Sequence, residues 1–276
     1  MRILFKTFTL IVFLCISLLP VFSDDQPRTG FQGVSSLAIT EKADIRIREN
    51  GRYLGYLYKE VRSYFDLIET ETLTSGADEY TYAGTVYVLE DLKQKSGQAK
   101  WIDEIYDIEL SATSTGRYST VSGMPFPRTR GFPVFPVNSL EDGATWREYG
   151  EQVLVPRDDG QPTKIEFYCE FRYKGTGMYL NREVHIITAQ YATRYRKGQD
   201  PGGDETLSEA TGKHLLTIYL DAARTGWMFI RDQVDEQFNF TDGVTREHEG
   251  FYLTWYEGSE IEGRDSDTKL VEESLQ

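Results

Sequence analysis

The sequence predicts a mainly β protein, an antiparallel sandwich or open barrel with at most one short helix. Three observations carry that expectation. Long stretches alternate between apolar and polar residues with period two, the signature of a strand with one dry face and one wet face. Asn50-Gly51 and Asp242-Gly243, both strong hairpin dipeptides, separate alternating runs. Aromatic residues are abundant, with 18 Tyr and 15 Phe, and flat or β-branched side chains suit a pleated surface.

The elements follow in order. Asn50-Gly51 joins the alternating residues 44–48 to 52–56. Residues 59–69 are the best helix candidate, because Val61, Tyr64, Phe65 and Ile68 share a helical face; a strand competes closely there. Residues 80–90 and 99–110 flank a turn at 95–98. The stretch 111–143 is irregular and holds four prolines, Pro125, Pro127, Pro133 and Pro136. Proline lacks the donor that a sheet ladder needs, so this stretch reads as an extended edge or a rigid crossover.

Residues 164–174 give the cleanest alternation. Ile165, Phe167, Cys169, Phe171 and Tyr173 fall on one face, and Lys164, Glu166, Tyr168, Glu170, Arg172 and Lys174 on the other. Gly175-Thr176-Gly177 predicts the turn into a returning strand at 183–195. A long acidic, Gly-rich loop is expected over 198–212. Residues 213–221, 226–240 and 244–256 complete the strands. The expected organisation is a leader at 1–23, a flexible lead-in at 24–33, an N-terminal β region at 34–110, the Pro-rich crossover at 111–143, a main antiparallel region at 144–260 and a polar, disordered tail at 261–276.

The leader has the layout of a secretory signal peptide. Arg2 and Lys6 precede an apolar run from Phe8 to Leu19, Pro20 breaks it, and Ser23 offers a small residue before Asp24. The apolar stretch is shorter than the 20 or so residues that a membrane-spanning helix needs, so an integral helical membrane protein is not expected. Residues 1–23 carry two positive charges and no negative ones, so their removal takes the net charge from −14 to −16. Such an acidic chain repels nucleic acid and anionic headgroups, which are bound through Lys and Arg. It leaves Cys169 as the single cysteine, in phase with apolar neighbours and read as a buried small hydrophobe rather than a reactive thiol. Without an internal disulfide, stability rests on core packing.

No motif announces a chemistry. His185, His214 and His248 are far apart, none has a partner at metal-ligand spacing, and His248-Glu249 lacks the second histidine of a zinc-protease helix. No Gly-x-Ser-x-Gly elbow places a serine nucleophile. Glu166 with Glu170, and Asp103, Glu104 with Asp107, could supply the two carboxylates of a glycosidase, but with 44 acidic residues solvated faces explain them better. Asp200, Asp204 and Glu205 offer hard oxygen ligands without the calcium-loop pattern. No catalytic, metal-binding or cofactor-binding residue is therefore expected. Tyrosines exposed on the sheet could stack on sugar rings, though cross-strand aromatic pairing is the simpler account. The crossover stands apart: Arg128 and Arg130 are conspicuous cations in an acidic chain, and with Phe132 and Phe135 they are the candidate partner contact, local salt bridges being the alternative.

An ordered series of segments carries a resemblance. Tyr82-Ala83-Gly84-Thr85-Val86-Tyr87-Val88-Leu89-Glu90 precedes Arg130-Gly131-Phe132-Pro133-Val134-Phe135-Pro136. Then come Gly143-Ala144-Thr145-Trp146, Val155-Pro156-Arg157-Asp158-Asp159-Gly160 and Phe171-Arg172-Tyr173-Lys174-Gly175. This series resembles the β-rich N-terminal region of the OmpA-type (outer-membrane-protein-A family) envelope proteins of spirochaetes, over about residues 45–256. The resemblance implies an extracytoplasmic place in the periplasm or at the outer membrane. It supplies no catalytic residues. The expected function is thus a non-enzymatic envelope protein working through an envelope protein or cell-wall component. The alternatives are a soluble module for a cell-wall glycan or small ligand, a secreted hydrolase, and a small membrane β-barrel.

Overall fold

The computed structural model describes residues 34–260, apart from 73–77, 91–100, 121–123, 132, 137–139, 158–159 and 224–225. The leader, the lead-in, the turn expected at 95–98 and the tail lie outside the described residues. Within them the chain is all-β, as the alternation predicts, and no helix occurs among the described residues.

Among the described residues, twelve strands form one antiparallel sheet: β1 (Val34–Glu49), β2 (Arg52–Thr72), β3 (Asp78–Glu90), β4 (Trp101–Thr113), β5 (Tyr118–Thr120), β6 (Thr129–Arg130), β7 (Thr145–Leu154), β8 (Thr163–Tyr179), β9 (Arg182–Arg196), β10 (Leu207–Asp221), β11 (Trp227–Phe240) and β12 (Thr245–Glu260). The spatial order is β5-β4-β3-β2-β1-β12-β11-β10-β9-β8-β7-β6. The first and last described strands therefore pair, from Val34 opposite Glu260 to Glu49 opposite Arg246. The sheet curls until its two short edge strands meet. There Gly131 N–H donates to the Tyr118 carbonyl at 2.7 Å and Phe135 N–H to the Thr115 carbonyl at 2.8 Å. The result is a nearly closed barrel with a narrow seam between β5 and β6, which removes most exposed sheet edge.

Several expectations need correction. Residues 59–69 belong to β2, because alternation wins: Val61, Ser63 and Phe65 are buried, while Tyr64 and Ile68, their partners on the helical face, are 52% and 57% exposed. The turn after β8 is Leu180-Asn181, both at positive φ. Gly175 instead takes φ 91° at a bulge between Tyr173 and Thr176, where an extra residue needs the left-handed region. The acidic loop ends earlier than 212, since β10 begins at Leu207. The crossover is also partly strand, as β4 continues to Thr113 and the short strands β5 and β6 lie within it. Both hairpin dipeptides behave as read: Asn50 and Gly51 take φ 50° and 76°, and Gly243 φ 83°.

The core fills the barrel. Leu37, Ile39, Phe65, Tyr82, Leu110, Phe171, Ile187 and Ile218 face inward at 2% exposure or less. At the end carrying the β7–β8 and β11–β12 turns, Leu154, Ile165, Leu207, Ala210, Phe238 and Phe240 form a second cluster. Outward positions on β8 and β11 are mostly polar or charged: Glu166, Arg172 and Lys174 on β8, and Arg231, Gln233, Asp235 and Gln237 on β11 are all exposed. A membrane barrel needs the reverse, an apolar band facing lipid. Cys169 is free and fully buried, so its thiol is pushed up by desolvation.

Candidate functional site

The groups with chemical potential converge inside the barrel, between the two apolar clusters. Inward positions are set by strand parity. On β11, Asp232 and Glu236 lie in phase with Ile230, Val234 and Phe238, so both carboxylates point into the core at 5% and 1% exposure. His214 on β10 enters beside them at 0% exposure, stacked on Tyr191 at 4.1 Å with its Nδ1 2.9 Å from Asp232 Oδ2. Tyr191 in turn stacks on Phe167 at 3.9 Å. That row fits only because the inward position of β7 next to Phe167 is Gly150, where any Cβ would overlap the Phe167 ring.

The crossover inserts into this polar belt. Arg128 donates from its guanidinium to Glu236 Oε1 at 2.8 Å and from its backbone N–H to Glu41 Oε1 at 3.1 Å. Its guanidinium carbon lies 3.2 Å from the centre of the Tyr252 ring. Gln152 adds a hydrogen bond to the same Glu236 oxygen at 3.0 Å. Arg130 is 4% exposed. It donates to the Met124 carbonyl and, at 3.3 Å, to that of Pro127, and lies 3.6 Å from Glu151. Phe135 is 3% exposed within the main core. Arg128 and Phe135 therefore face the barrel's own interior, Arg130 is buried at the seam beside Glu151, and Phe132 lies outside the described residues. Local ion pairing describes both arginines. The crossover folds back at the seam and brings Arg128 to the buried acids Glu236 and Glu41.

Burial pushes the Glu236 carboxyl up, but Arg128 and the neighbouring histidines outweigh it and hold the group below its ordinary range. For Asp232 burial wins over the His214 hydrogen bond and the group is raised. Glu41 is likewise raised by burial, against the pull of Arg128 and Arg130. Glu41 Oε2, Asp232 Oδ1 and Glu236 Oε2 accept no hydrogen bond among the described residues. The His214–Asp232 pair has the look of a general-base dyad. It is sealed from solvent, at 0% and 5% exposure.

The remaining expected groups serve turns and faces. His185 Nδ1 lies 2.8 Å from the Tyr173 hydroxyl, and His248 packs edge-on to Phe238. Asp200 accepts from the backbone N–H groups of Lys164 and Gly202, and Asp204 from Thr206, so these acids order the β9–β10 turn. Glu170 pairs with Arg147 at 2.7 Å. No group of three or more His, Cys, Asp or Glu side chains that could hold a metal ion occurs among the described residues.

Two outer features complete the survey. Tyr179, Tyr219, Phe229 and Trp255 form a row across β8, β10, β11 and β12, with neighbouring rings within 21° of parallel. Their faces are spent on one another, which is the cross-strand pairing account. Beside the seam, Tyr149 and Tyr168 are 66% and 47% exposed, 4.7 Å apart and tilted by 60°. Tyr149 borders an open groove of about 410 Å³, lined also by Arg117, Arg130, Glu151, Lys164 and Glu166. Comparison with family models, curated proteins and solved structures finds no match for this chain.

Proposed function

We propose that this chain is an exported, non-enzymatic protein of the cell envelope that works through contacts on its outer surface. The observation that carries the reading is the filled barrel: its histidines and inward carboxylates are engaged in the interior, and the crossover takes the space a ligand would use. The leader and the resemblance to OmpA-type envelope proteins supply the location. The test is fractionation of the producing cell with intact-mass measurement. The expected result is an envelope-associated chain beginning at Asp24, and purified protein that leaves peptidoglycan uncut. A full-length cytoplasmic chain, or polymer hydrolysis lost on a single carboxylate change, overturns it.

A second reading, a cell-wall glycan module, is favoured by one observation: Tyr149 and Tyr168 expose ring area beside the seam groove. Co-sedimentation with purified cell wall, abolished by Tyr149→Ala, would establish it, and its absence would remove it.

A further inference from the structure

We propose that the junction of the β7–β8 and β9–β10 turns is a calcium site, centred on Asp204 and the backbone at Gly160. The site goes beyond the reading of this chain as an envelope protein and does not depend on it.

The two turns meet side by side at one end of the barrel. Thr163, at the start of β8, accepts the Asp204 backbone N–H on its hydroxyl at 2.8 Å. Lys164 donates its backbone N–H to Asp200 Oδ2 at 2.8 Å. These bonds bring the acids of one turn against the backbone of the other. Asp204 is 4% exposed. Its Oδ1 accepts from the Thr206 N–H and hydroxyl at 2.8 and 2.7 Å. Its Oδ2 is buried and accepts no hydrogen bond among the described residues. A buried carboxylate oxygen without donor or counter-charge is costly, and a bound ion is one way in which such an oxygen is satisfied.

The unmatched oxygen points at a space bordered by oxygen. A Cβ placed on Gly160 would lie 2.7 Å from Asp204 Oδ2 and 3.1 Å from the Arg157 carbonyl oxygen, its two nearest atoms outside the adjoining residues. Gly160 is half-buried, so ions reach this position from solvent. The Arg157 carbonyl accepts the Gly160 N–H at 3.0 Å, and a carbonyl oxygen has a second lone pair to offer. Burial, with the negative charge of Asp200 and Asp204, raises the Tyr195 hydroxyl, so both acids lie close to one ring. The site is built without Asp158 and Asp159, which lie outside the described residues.

The donor set selects the ion. It consists of carboxylate, carbonyl and water oxygens, with no histidine or sulfur, which favours a hard cation over zinc. It draws on backbone and water rather than on three or more side chains. Calcium takes roughly six to eight oxygens in flexible geometry, carbonyls and waters among them, whereas magnesium demands a near-ideal octahedron. Few charged ligands on an open turn give weak binding, about 10⁻⁴–10⁻³ M, the range of extracellular modules.

The probe is terbium, a luminescent stand-in for calcium excited through tyrosine, titrated into the full chain and competed with calcium or magnesium. Melting is followed in parallel with calcium or EDTA present. The expected result is saturable emission that calcium removes more readily than magnesium, a melting temperature that rises with calcium, and slower amide exchange in both turns. The chain carries a net charge of −14, so loose attraction of cations has to be separated from a site. Gly160→Ala does so, because it leaves the charge unchanged and its methyl overlaps only the end of the Asp204 side chain. Gly160→Ala and Asp204→Asn, each checked for unchanged circular dichroism, should weaken calcium binding about tenfold or more, and Glu166→Gln, a surface change outside the site, should not. If one of the two site variants does not fold, the other decides. Binding unchanged in a folded site variant, an equal loss in Glu166→Gln, equal competition by magnesium, or no melting shift at tenfold the upper end of that range each overturns the proposal.

Discussion

Arg128 is the most informative single residue to change, because it is the only Arg or Lys paired with Glu236 among the described residues. Its side chain is 15% exposed and that of Glu236 1%, so screening by solvent is slight. Replacing Arg128 with Ala leaves a buried carboxylate without its guanidinium partner. Breaking a buried pair from one side costs about 3–5 kcal/mol, a large share of the ~5–15 kcal/mol that holds a typical domain. Lost stacking on Tyr252 belongs to the same figure and is not added to it. The sign of the pH dependence is equally definite. In the natural protein Glu236 is depressed, so its contribution is present above the unfolded value and is lost as pH falls through the lower folded value. In Arg128→Ala burial acts with far less opposition, the folded value rises, and protonation restores stability, so the deficit shrinks as pH drops from about 7 to 5. The assay is urea unfolding at both pH values, with unchanged m. The Arg128→Met, Glu236→Gln double variant should recover most of the loss, since removing both charges avoids the orphaned one. A deficit under about 1 kcal/mol at neutral pH, or a double variant as poor as the sum of the singles, would refute the claim that the crossover is clamped by this pair.

Further outcomes follow from the same interior. Phe171→Ala removes a fully buried ring that lies 5.1 Å from Trp146 and nearly parallel to it; a loss of about 3–5 kcal/mol and a changed Trp emission spectrum are expected. Cys169 should resist thiol reagents in the folded protein and react at once in denaturant, because it is buried and its thiol is pushed up by desolvation; rapid native labelling would show that β8 opens. Asp232 is raised by burial, so it favours the folded state below the unfolded carboxylate value and loses that contribution as pH rises through its folded value. Asp232→Asn should therefore compare worst with the natural protein near pH 3.5 and best near pH 7, as read by urea midpoints.

The strands were legible because alternation is local: residues 164–174 read the same on paper and in the barrel. Residues 59–69 were ambiguous because Tyr64 and Ile68 are apolar yet point outward, which imitates a helical stripe. The turn was misplaced onto Gly175-Thr176-Gly177 because glycine marks bulges as well as turns, while Leu180 takes a left-handed conformation that its side chain gives no reason to expect. The polar belt was within reach and was missed. Asp232 and Glu236 keep the parity of Ile230, Val234 and Phe238, so a strict count along β11 places two acids in the core. The placing of Arg128 was not legible, because it depends on which strands the crossover passes between. That in turn depends on β1 pairing with β12, a contact with no local signal.

That pairing has a topological consequence. Every other neighbouring pair around the barrel, the β5–β6 seam included, is consecutive along the chain. The molecule is thus a ring of hairpins whose natural break falls between β12 and β1, two strands already in full register. A permuted chain with β12 linked to β1 and new ends opened between β5 and β6 would turn the most distant contact into a hairpin and make the whole sheet a simple meander. Because long-range closure slows folding, such a permutant should fold faster than the natural order of the same strands, and it would show how much of the folding barrier is the wait for the last strand.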